Sequence, residues 1–358
     1  MAKDMAHKPP KTSPAPEIAI ILVNWNGWRD TIECLESIFK NDCDNFQAIV
    51  CDNASTDGSW NKIISWAAGN ELAVPASEEM ESYSLPPTAK PVAIKLIDQA
   101  GNISGDPDAN FILIQTGANL GFAGGNNVGM RYALNHSACE YFWLLNNDTV
   151  ITRDAIGNLI HHMKKSPNVG MCGTRIHFYH QPDVIQALAG AKYNPMTGNS
   201  KCIGSNEPAT SIISSEEVIA SSDFIVGASM CITREFFKDV GPMEERYFLY
   251  YEEIDWAERA KNKFEIGYAA DATVFHKEGG AIGSSSLKGA RSPLSEYYLM
   301  SSKIKFTRKF FPMRLLPIYI YGLAQVIVRL LRGNKKLAKV ILYAMTWTPL
   351  SSDQMRKD

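Results

Sequence analysis

Several features that mark particular classes of protein are missing from this 358-residue sequence. The seven cysteines are scattered, and no pair has the C-x-x-C spacing of a zinc or redox motif, so reduced, cytosolic thiols are expected. The net charge is only −2, which excludes the broad positive field of nucleic-acid-binding proteins. Residues 1–16 contain no apolar core of a signal peptide, and we expect them to form a disordered lead-in.

The first predicted strand-to-helix connection also lacks two motifs. It reads NWNGWRD (24–30), without the G-x-G-x-x-G that cradles the pyrophosphate of a dinucleotide. It also lacks the glycine-rich signature with Arg and Lys that sugar nucleotidyltransferases usually carry here. Dinucleotide binding is therefore excluded, and nucleotidyl transfer is a disfavoured alternative.

Strands and helices alternate through the first 150 residues. IAIILVNWN (18–26) and FQAIVCDN (46–53) are apolar runs typical of strands that are covered on both faces. Helical spacing of apolar residues follows each of them, and NFILIQT (110–116) and YFWLLNND (141–148) continue the series. This alternation predicts an α/β domain with an open, mostly parallel, Rossmann-like sheet flanked by helices.

Changes in composition suggest the domain organisation. Residues 17–290 are expected to form one domain, in which 122–135 is helical despite its glycines. Residues 69–110 are rich in Pro, Ser, Glu and Gly, and we interpret them as an insertion holding one strand at VAIKLID. Residues 291–358 are predicted to form a basic, amphipathic helical extension at the C-terminus.

Polar side chains stand where three predicted strands end, and ligands of open parallel sheets bind beyond such ends. The residues concerned are Asn24 and Asn26, Asp52, and the run Asn146, Asn147 and Asp148. A carboxylate flanked by amide oxygens offers hard ligands for Mg²⁺ or Mn²⁺ holding a diphosphate. A purely local turn is the alternative for Asp148, and Asp52 fits an ordinary turn or helix cap equally well.

The segment FLYYEEIDWAERA (248–260) brings three acids together among aromatic residues. Partial burial would raise the pKa of Glu252, Glu253 or Asp255 toward values that suit a general base. Acids at a helix N-terminus are also favoured by the helix dipole, and that structural role fits Glu252 well. Further on, ATVFHKEGG ends a strand on His276, which could complete a metal site if acids lie near it.

Taken in order, these segments resemble the motifs of family 2 glycosyltransferases, the inverting enzymes with the GT-A fold, and especially their bacterial rhamnosyltransferase-like branch. The resemblance covers about residues 17–285. One such piece would be weak evidence, but several in register are specific. The matching pieces are IILVNWNG, VCDNASTDGS, GANLGFAGGNN, LLNNDT, VGASMCITREFFKDVG, RYFLYYEEIDWAERA and VFHKEGG.

The resemblance assigns roles to the two halves of the domain and to the metal site. It implies that 17–150 binds the nucleotide sugar and that 151–290 forms the acceptor and catalytic half. NND (146–148) occupies the place of the family's D-x-D motif. Asp148 is therefore expected to bind a divalent metal, Mg²⁺ or Mn²⁺, with the donor diphosphate, and His276 resembles the family's late metal-binding histidine.

The same resemblance predicts the donor pocket. Asp52 is expected to contact the nucleotide base, and Asn24 and Asn26 to line the nucleoside pocket. Farther along the chain, the residues expected to approach the donor are Asn119, the turn Gly124-Gly125-Asn126, and Asn147 beside Asp148.

Two departures from the family pattern affect the predicted chemistry. Asn146 stands where the first acid of D-x-D is usual, so metal binding would rest more on Asp148 and His276. The family's catalytic Asp commonly ends an acidic pair, which here is Glu252-Glu253. The expected base is therefore Glu253, one methylene longer than Asp, and Asp255 is a rival for the role.

These expectations combine into one function. We predict an inverting, metal-dependent transfer of a sugar from a dTDP- or UDP-sugar to a saccharide or lipid-linked saccharide in cell-surface polysaccharide synthesis. Rhamnose is the sugar that the branch favours. Because of Asn146 and Glu253, a relic that binds a sugar nucleotide without turnover is the alternative.

The last segment predicts where such an enzyme works. LLPIYIYGLAQVIV (315–328) and LAKVILYAMTW (337–347) are apolar, and ten basic residues but no acid lie between Glu296 and Asp353. Helices that lie in a membrane interface have this composition. We therefore predict a cytoplasmic enzyme associated peripherally with the anionic inner face of the plasma membrane through 297–350. Packing of both helices against the catalytic domain is the alternative.

Overall fold

The structure is a computed structural model in which residues 16–278 and 292–349 are described. The predicted lead-in, except for its last residue, and the glycines after Glu278 lie outside these ranges. The strands are β1 (Ile18–Asn24), β2 (Phe46–Asp52), β3 (Ile94–Ile97), β4 (Ile103–Gly105), β5 (Phe111–Gln115), β6 (Tyr141–Leu145), β7 (Thr149–Ile151), β8 (Val169–Phe178), β9 (Gln181–Leu188), β10 (Gly190–Asn194), β11 (Asn199–Cys202), β12 (Phe224–Ile225), β13 (Ser229–Thr233) and β14 (Glu265–His276).

Helices flank these strands and continue beyond them to the C-terminal end of the described chain. They are α1 (Trp28–Phe39), α2 (Ser59–Ala67), α3 (Glu81–Ser84), α4 (Gly121–His136), α5 (Ala155–Lys165), α6 (Ser215–Ser221), α7 (Arg234–Val240), α8 (Glu252–Ala260), α9 (Pro293–Phe310), α10 (Leu315–Leu331) and α11 (Lys335–Met345).

In the described chain, eleven strands form one sheet, in the order β4-β3-β5-β2-β1-β6-β13-β8-β14-β7 with β9 paired to β8. The run from β3 to β6 is parallel. Beyond it, β13 is antiparallel to both of its neighbours, while β14 is parallel to β8 and antiparallel to β7. The order confirms the predicted α/β fold of GT-A type, with a parallel first half that continues into a mixed second half.

The continuous apolar sequence of β1 reflects burial on both faces of the sheet. Ile18, Ile20 and Leu22 pack into the core shared with α1, α2 and α5. Ala19 and Ile21 point the other way, into the core under α4 and α7. Because side chains alternate along a strand, a strand covered on both sides needs an apolar residue at every position.

Residues 69–110 contribute two strands to the main sheet. The predicted strand is present as β3, which runs parallel to β5. The second, β4, pairs with β3 at the sheet edge. Its three residues are exposed and carry no apolar alternation, so the sequence pattern did not indicate it.

Helix α4 confirms the predicted helix despite its glycines. A Cβ atom at Gly125 would lie 2.7 Å from Val23 Cγ1, and one at Gly129 would lie 2.5 Å from Ile21 Cγ2. Glycine within a helix costs about 1 kcal/mol relative to alanine. Here it allows the α4 backbone to lie directly on β1.

The C-terminal helices are joined to the second half of the sheet domain by α9. One side of α9 places Phe306 in an aromatic cluster with Tyr193 and Tyr251. Its other side places Met300 and Ile304 in a core formed with α10 and α11. Helix α9 therefore lies between the sheet domain and the last two helices.

Candidate active site

The carboxyl ends of three neighbouring parallel strands bring polar side chains into register. Asn24, Asp52 and Gln115 are direct partners across β1, β2 and β5. The carboxylate of Asp52 accepts hydrogen bonds from Asn24 Nδ2 at 2.6 Å and from Gln115 Nε2 at 2.8 Å. Ser55 adds its hydroxyl at 2.6 Å and its backbone N–H at 3.3 Å. A carboxylate has about four acceptor positions, so Asp52 is saturated by the protein itself.

The loop after β1 is fixed to the loop after β2. Asn26 adopts a left-handed backbone conformation, with φ of 53°. Its N–H donates to Ser55 Oγ at 2.9 Å, and its Oδ1 accepts from the N–H of Thr56 at 2.7 Å. Asn24 and Asn26 therefore hold the floor of the predicted nucleoside pocket in place.

Asn147 joins this floor to the run Asn146–Asp148. Its Nδ2 donates to Thr31 Oγ1 at 2.9 Å, and Thr31 Oγ1 donates to Asn24 Oδ1 at 2.8 Å. Thr31 is fully buried, so the link is shielded from water. The first and third polar strand ends are thus parts of one hydrogen-bonded unit.

Asp148 and His276 are brought together as predicted. His276 ends β14 opposite Thr149 of β7, and its Nε2 lies 3.1 Å from Asp148 Oδ1. Gln186 Oε1 lies 2.9 Å from the other ring nitrogen, Nδ1, and so orients the imidazole. Burial alone would raise the pKa of Asp148, but the adjacent His276 outweighs it and lowers that pKa. Burial likewise opposes protonation of His276, and Asp148 outweighs it, raising the histidine pKa.

These donors fit a divalent metal that is completed by substrate. Within the described residues, no three His, Cys, Asp or Glu side chains form a metal-binding group. Mg²⁺ and similar ions are, however, often held by one or two protein side chains together with substrate phosphates. The Asn146 amide lies 3.3 Å from His276 Nε2, and a 180° flip would point its oxygen toward the same place.

Lys277 is a partly buried residue of the site that the sequence did not single out. Its Nζ lies 2.5 Å from Asp30 Oδ1 and 2.5 Å from Glu33 Oε2, both on α1. Its backbone N–H donates to the carbonyl of Asp148 at 3.0 Å. Lys277 therefore ties the end of β14 to α1 and fixes the backbone of Asp148.

The start of α4 differs from its predicted form. Gly124, Gly125 and Asn126 were expected to form a turn facing the donor, but they lie within the helix and are buried. Asn126 Nδ2 donates to the carbonyl of Phe122 in the same helix. Asn119 lies in the exposed loop before the helix, where its Oδ1 accepts from the N–H of Gly121 at 3.0 Å. Gly125 packs on Val23 of β1 and Gly124 on Leu120, and only Asn119 of this set is exposed.

The acidic pair at the start of α8 is enclosed by the protein. Glu252 is 1% exposed, and its Oε2 has no hydrogen-bond partner within the described structure. Burial and the adjacent Glu253 hold the pKa of Glu252 well above its ordinary value. Burial also raises the pKa of Glu253 to about 7, although backbone N–H groups of Glu253 and Gly227 act to lower it.

Glu253 is connected to the metal-site segment through the turn before β13. A Cβ atom on Gly227 would lie 2.2 Å from Glu253 Oε1, so the carboxyl group rests against this glycine. The carbonyl of the next residue, Ala228, accepts from the N–H of Asn146 at 3.0 Å. The predicted base is therefore linked, through Gly227 and Ala228, to the backbone of Asn146, which lies two residues before Asp148 of the predicted metal site.

Asp255 occupies a different environment on the same helix. It is fully buried, and Arg259 Nε and Lys309 Nζ lie 2.7 and 2.5 Å from its two carboxylate oxygens. Tyr247 donates a further hydrogen bond from its hydroxyl at 3.0 Å. Asp255 thus anchors an ion-pair cluster that joins α8 to α9.

The loop before the acidic pair is held in an unusual backbone conformation. Phe248, Tyr250 and Tyr251 have φ values of 67°, 66° and 75°. Such strain persists only where surrounding contacts impose it, and it is common at functional sites. Ser302 of α9 donates to the carbonyls of Tyr247 and Leu249, at 3.3 and 2.9 Å, and thereby supports this loop.

Comparison with known proteins finds a family match for part of the chain. Residues 96–213 match the model of glycosyl transferase family 2, a stretch that includes Asp148 but neither Glu253 nor His276. A curated relative, the low-salt glycan biosynthesis hexosyltransferase Agl10 of Haloferax volcanii, is 28% identical over 167 residues. That similarity covers 46% of this chain and spans about half, 51%, of the relative.

Two solved structures are similar in outline. One is mannosyltransferase PcManGT from Pyrobaculum calidifontis in complex with GDP-Man and Mn²⁺, with 13% identity and a TM-score of 0.45 over 94% of this chain and 88% of that one. The other is S. aureus TarS 1–349 in complex with UDP-GlcNAc, with 13% identity and a TM-score of 0.45 over 93% and 88%. By sequence, residues 96–213 carry the pattern of glycosyl transferase family 2, and the matching curated relative is a hexosyltransferase.

Proposed function

We propose that this protein is an inverting glycosyltransferase that moves a sugar from a nucleoside-diphosphate sugar to an acceptor hydroxyl. One observation carries the proposal: the Glu253 carboxyl group lies against Gly227, and the next carbonyl, that of Ala228, accepts from the N–H of Asn146. Asn146 lies two residues before the Asp148 that pairs with His276. A leaving diphosphate and an attacking hydroxyl need such different groups within reach of one sugar. The family 2 match of residues 96–213 supports the same reaction class.

Glu253 is the group we assign as general base. A base works best when its pKa lies near the working pH, and burial raises the pKa of Glu253 to about 7. Glu253 is partly exposed as a residue, whereas Glu252 is buried. Asp255 is less suited, because Arg259 and Lys309 already neutralise it inside the protein.

Asp148 and His276 are the residues we assign to a divalent metal. A bound Mg²⁺ or Mn²⁺ would supply Lewis-acid stabilisation of the departing diphosphate. Gln186 holds the His276 ring, and Lys277 holds the Asp148 backbone, so both ligands are positioned before substrate arrives. Asn147 and Thr31 tie these ligands to the floor made by Asn24.

In this proposal, the nucleoside of the donor binds on the floor formed by the polar ends of β1 and β2, which we call the donor floor. Asn24, Asn26 and Asp52 fix the two loops that would enclose it. Because Asp52 is saturated, its predicted contact with the base requires that one of its present donors be displaced. We retain a dTDP- or UDP-sugar donor, with rhamnose as the favoured sugar, and a saccharide or lipid-linked acceptor as predictions from the family resemblance.

A donor screen tests the proposal. Thermal shift with Mn²⁺ across a panel of nucleotide sugars should reveal at least one stabilising donor, and that donor should yield nucleoside diphosphate on incubation with enzyme. Asp148→Asn should abolish the Mn²⁺-dependent part of the shift. Binding without any release of nucleoside diphosphate would instead indicate a non-catalytic relic, and stabilisation by no sugar nucleotide would refute the proposal.

A further inference from the structure

Helix α10 presents an apolar face that no other part of the described chain covers. Leu316 is 70% exposed and Leu331 is 83% exposed. Steps of three or four residues place most of these side chains on one side of the helix. The residues of this α10 face are Met313, Leu316, Ile320, Leu323, Ile327, Leu330 and Leu331.

The opposite side of α10 is packed into the protein. Ile318 and Val326 are buried in the core with α9 and α11, and Gly322 lies against Met345 and Met300. Helix α11 buries most of its apolar residues in the same core, and Leu342, at 40% exposure, is its large apolar residue on the outside. Of the two apolar runs in the tail, only α10 offers a broad exposed face.

The structure also shows which basic side chains of the C-terminal helices form ion pairs within the described chain and which are exposed, where a binding partner could contact them. Arg329 pairs with Glu296 at 2.9 Å, and Lys309 pairs with Asp255 at 2.5 Å, so these two basic residues are used internally. Exposed cations remain at both ends of the α10 face. They are Arg314 before the helix, and Arg332, Lys335 and Lys339 after it.

We propose that the α10 face binds the surface of an anionic lipid bilayer, with the helix lying parallel to the membrane plane. The apolar side chains would enter the boundary between headgroups and acyl chains, and the cations at both ends would meet lipid phosphates. No acid occurs between Glu296 and Asp353 to repel those phosphates. Charge complementarity therefore favours an anionic bilayer as the occupant.

Two other arrangements fit the same face less well. In an antiparallel pair with a second copy, Arg314 would face the partner's Arg332, and in a parallel pair each cation would face its own copy. The segment Pro312–Leu331 is also long and apolar enough to cross a membrane, with a mean hydropathy of 1.4 and 17% of it buried. Crossing, however, would withdraw Ile318 and Val326 from their core and carry Arg329 into hydrocarbon.

The contacts of α9 connect this surface to the candidate active site. Its Met300 packs against α10 and α11, and its Ser302 supports the loop before Glu252. This extension, which rests on the proposed function, links the loop before the general base to the helix that would bind the bilayer. A lipid-linked saccharide is the acceptor class that suits such a link.

Vesicle co-sedimentation of the full chain tests the proposal. The protein should bind vesicles of phosphatidylcholine mixed with phosphatidylglycerol, bind phosphatidylcholine alone much less, and dissociate as salt is raised. Leu323→Glu with Ile327→Glu should weaken binding at least about tenfold. Ile212→Glu, at a position that is 99% exposed outside the tail, is the matched control and should bind like wild type.

A charge pair provides a second variant. Arg332→Glu with Lys335→Glu should also weaken binding, whereas Lys238→Glu on exposed α7 should not. Unchanged binding by both double variants would overturn the proposal, as would a dimer in light scattering that Leu323→Glu with Ile327→Glu dissolves. Donor-induced thermal shifts, measured in parallel, should be equal in all variants. Lost vesicle binding with an intact donor response would therefore concern the membrane surface and leave the proposed transfer untouched.

Discussion

The donor floor and the acidic pair of α8 handle buried charge in opposite ways. Asp52 is surrounded by hydrogen-bond donors from three segments, so its charge is fully compensated. Glu252 and Glu253 lie side by side with little compensation, and burial raises both of their pKa values. A compensated charge fixes geometry, whereas an uncompensated one exchanges its proton easily near neutral pH.

This contrast separates scaffold from chemistry within one site. Changes in the donor floor should appear mainly as lost stability, because they leave buried polar groups without partners. Substitutions in the acidic pair should appear mainly in the reaction rate, because the two carboxyl groups make few hydrogen bonds or ion pairs that stabilise the fold.

The largest effect is expected for Glu253→Gln. The amide keeps the shape of the side chain but cannot accept a proton, so turnover should fall by ~10²–10⁴. Donor binding should persist, as measured by thermal shift. Glu258→Gln, a surface position of the same helix paired with Lys261, is the control. If Glu253→Gln retains its rate while Asp255→Asn loses it, Asp255 is the base.

The pH dependence of the wild-type rate should follow the same carboxyl group. A base acts only when ionised, and burial raises the pKa of Glu253 to about 7. The value of kcat/KM should therefore fall as pH drops through about 7 and level off above it. The apparent pKa belongs to the Glu252–Glu253 pair as a whole. An acid limb near the ordinary value for glutamate would contradict the assignment.

Gly227→Ala should lower the reaction rate only because it displaces the carboxyl group of Glu253. The added Cβ would lie 2.2 Å from Glu253 Oε1, and the flexible carboxyl end would have to move. Misplacing a catalytic group by about 1 Å can reduce the rate by ~10². Gly157→Ala, where the nearest atom is 4.0 Å away, is the control. Stability should change little, and a normal kcat would show that the contact with Gly227 does not position the base.

Thr31→Val should break the donor floor instead. Valine preserves the shape but removes the hydroxyl between Asn24 and Asn147, leaving buried amide groups without partners. We expect a loss of about 1–3 kcal/mol in the free energy of unfolding, measured with denaturant. The exposed Thr210→Val is the matched control. If Thr31→Val also shifted the acid limb of the pH–rate profile, the donor floor and the acidic pair would be coupled.

The smallest effect is expected for Glu252→Gln. Burial and the adjacent Glu253 hold the pKa of Glu252 well above its ordinary value, which favours its protonated form, and an amide resembles that form. Rate and pH profile should change far less than with Glu253→Gln. Equal losses in the two variants would show that Glu252 takes part in proton transfer.

The sequence predicted those parts of the site whose residues follow strand ends. Asp148 and His276 each end an apolar run, and strand pairing then brings them together. The helix at 122–135 was likewise predicted, despite its glycines. These features depend on local pattern and on the rule that ligands bind beyond parallel strands.

Other parts depended on contacts between distant segments. Lys277 pairs with Asp30 and Glu33 on α1, far away in the chain. The family resemblance implied a donor-facing turn at Gly124-Gly125-Asn126, because nothing in the local sequence shows that β1 lies directly beneath this part of α4. The basic tail suggested a full set of free cations, yet Lys309 and Arg329 find carboxylates in other elements.

The place of α9 between the loop at 248–251 and the last two helices has a consequence for synthesis of the protein. The ribosome makes Glu253 well before it makes Ser302 and Phe306, on which that strained loop depends. A nascent chain that has exposed the strands up to β5 can already form the hydrogen bonds to Asp52, whose donors all precede α4. The surroundings of Glu253 are complete only when α9 has emerged, so catalytic competence comes after these contacts in the growing chain.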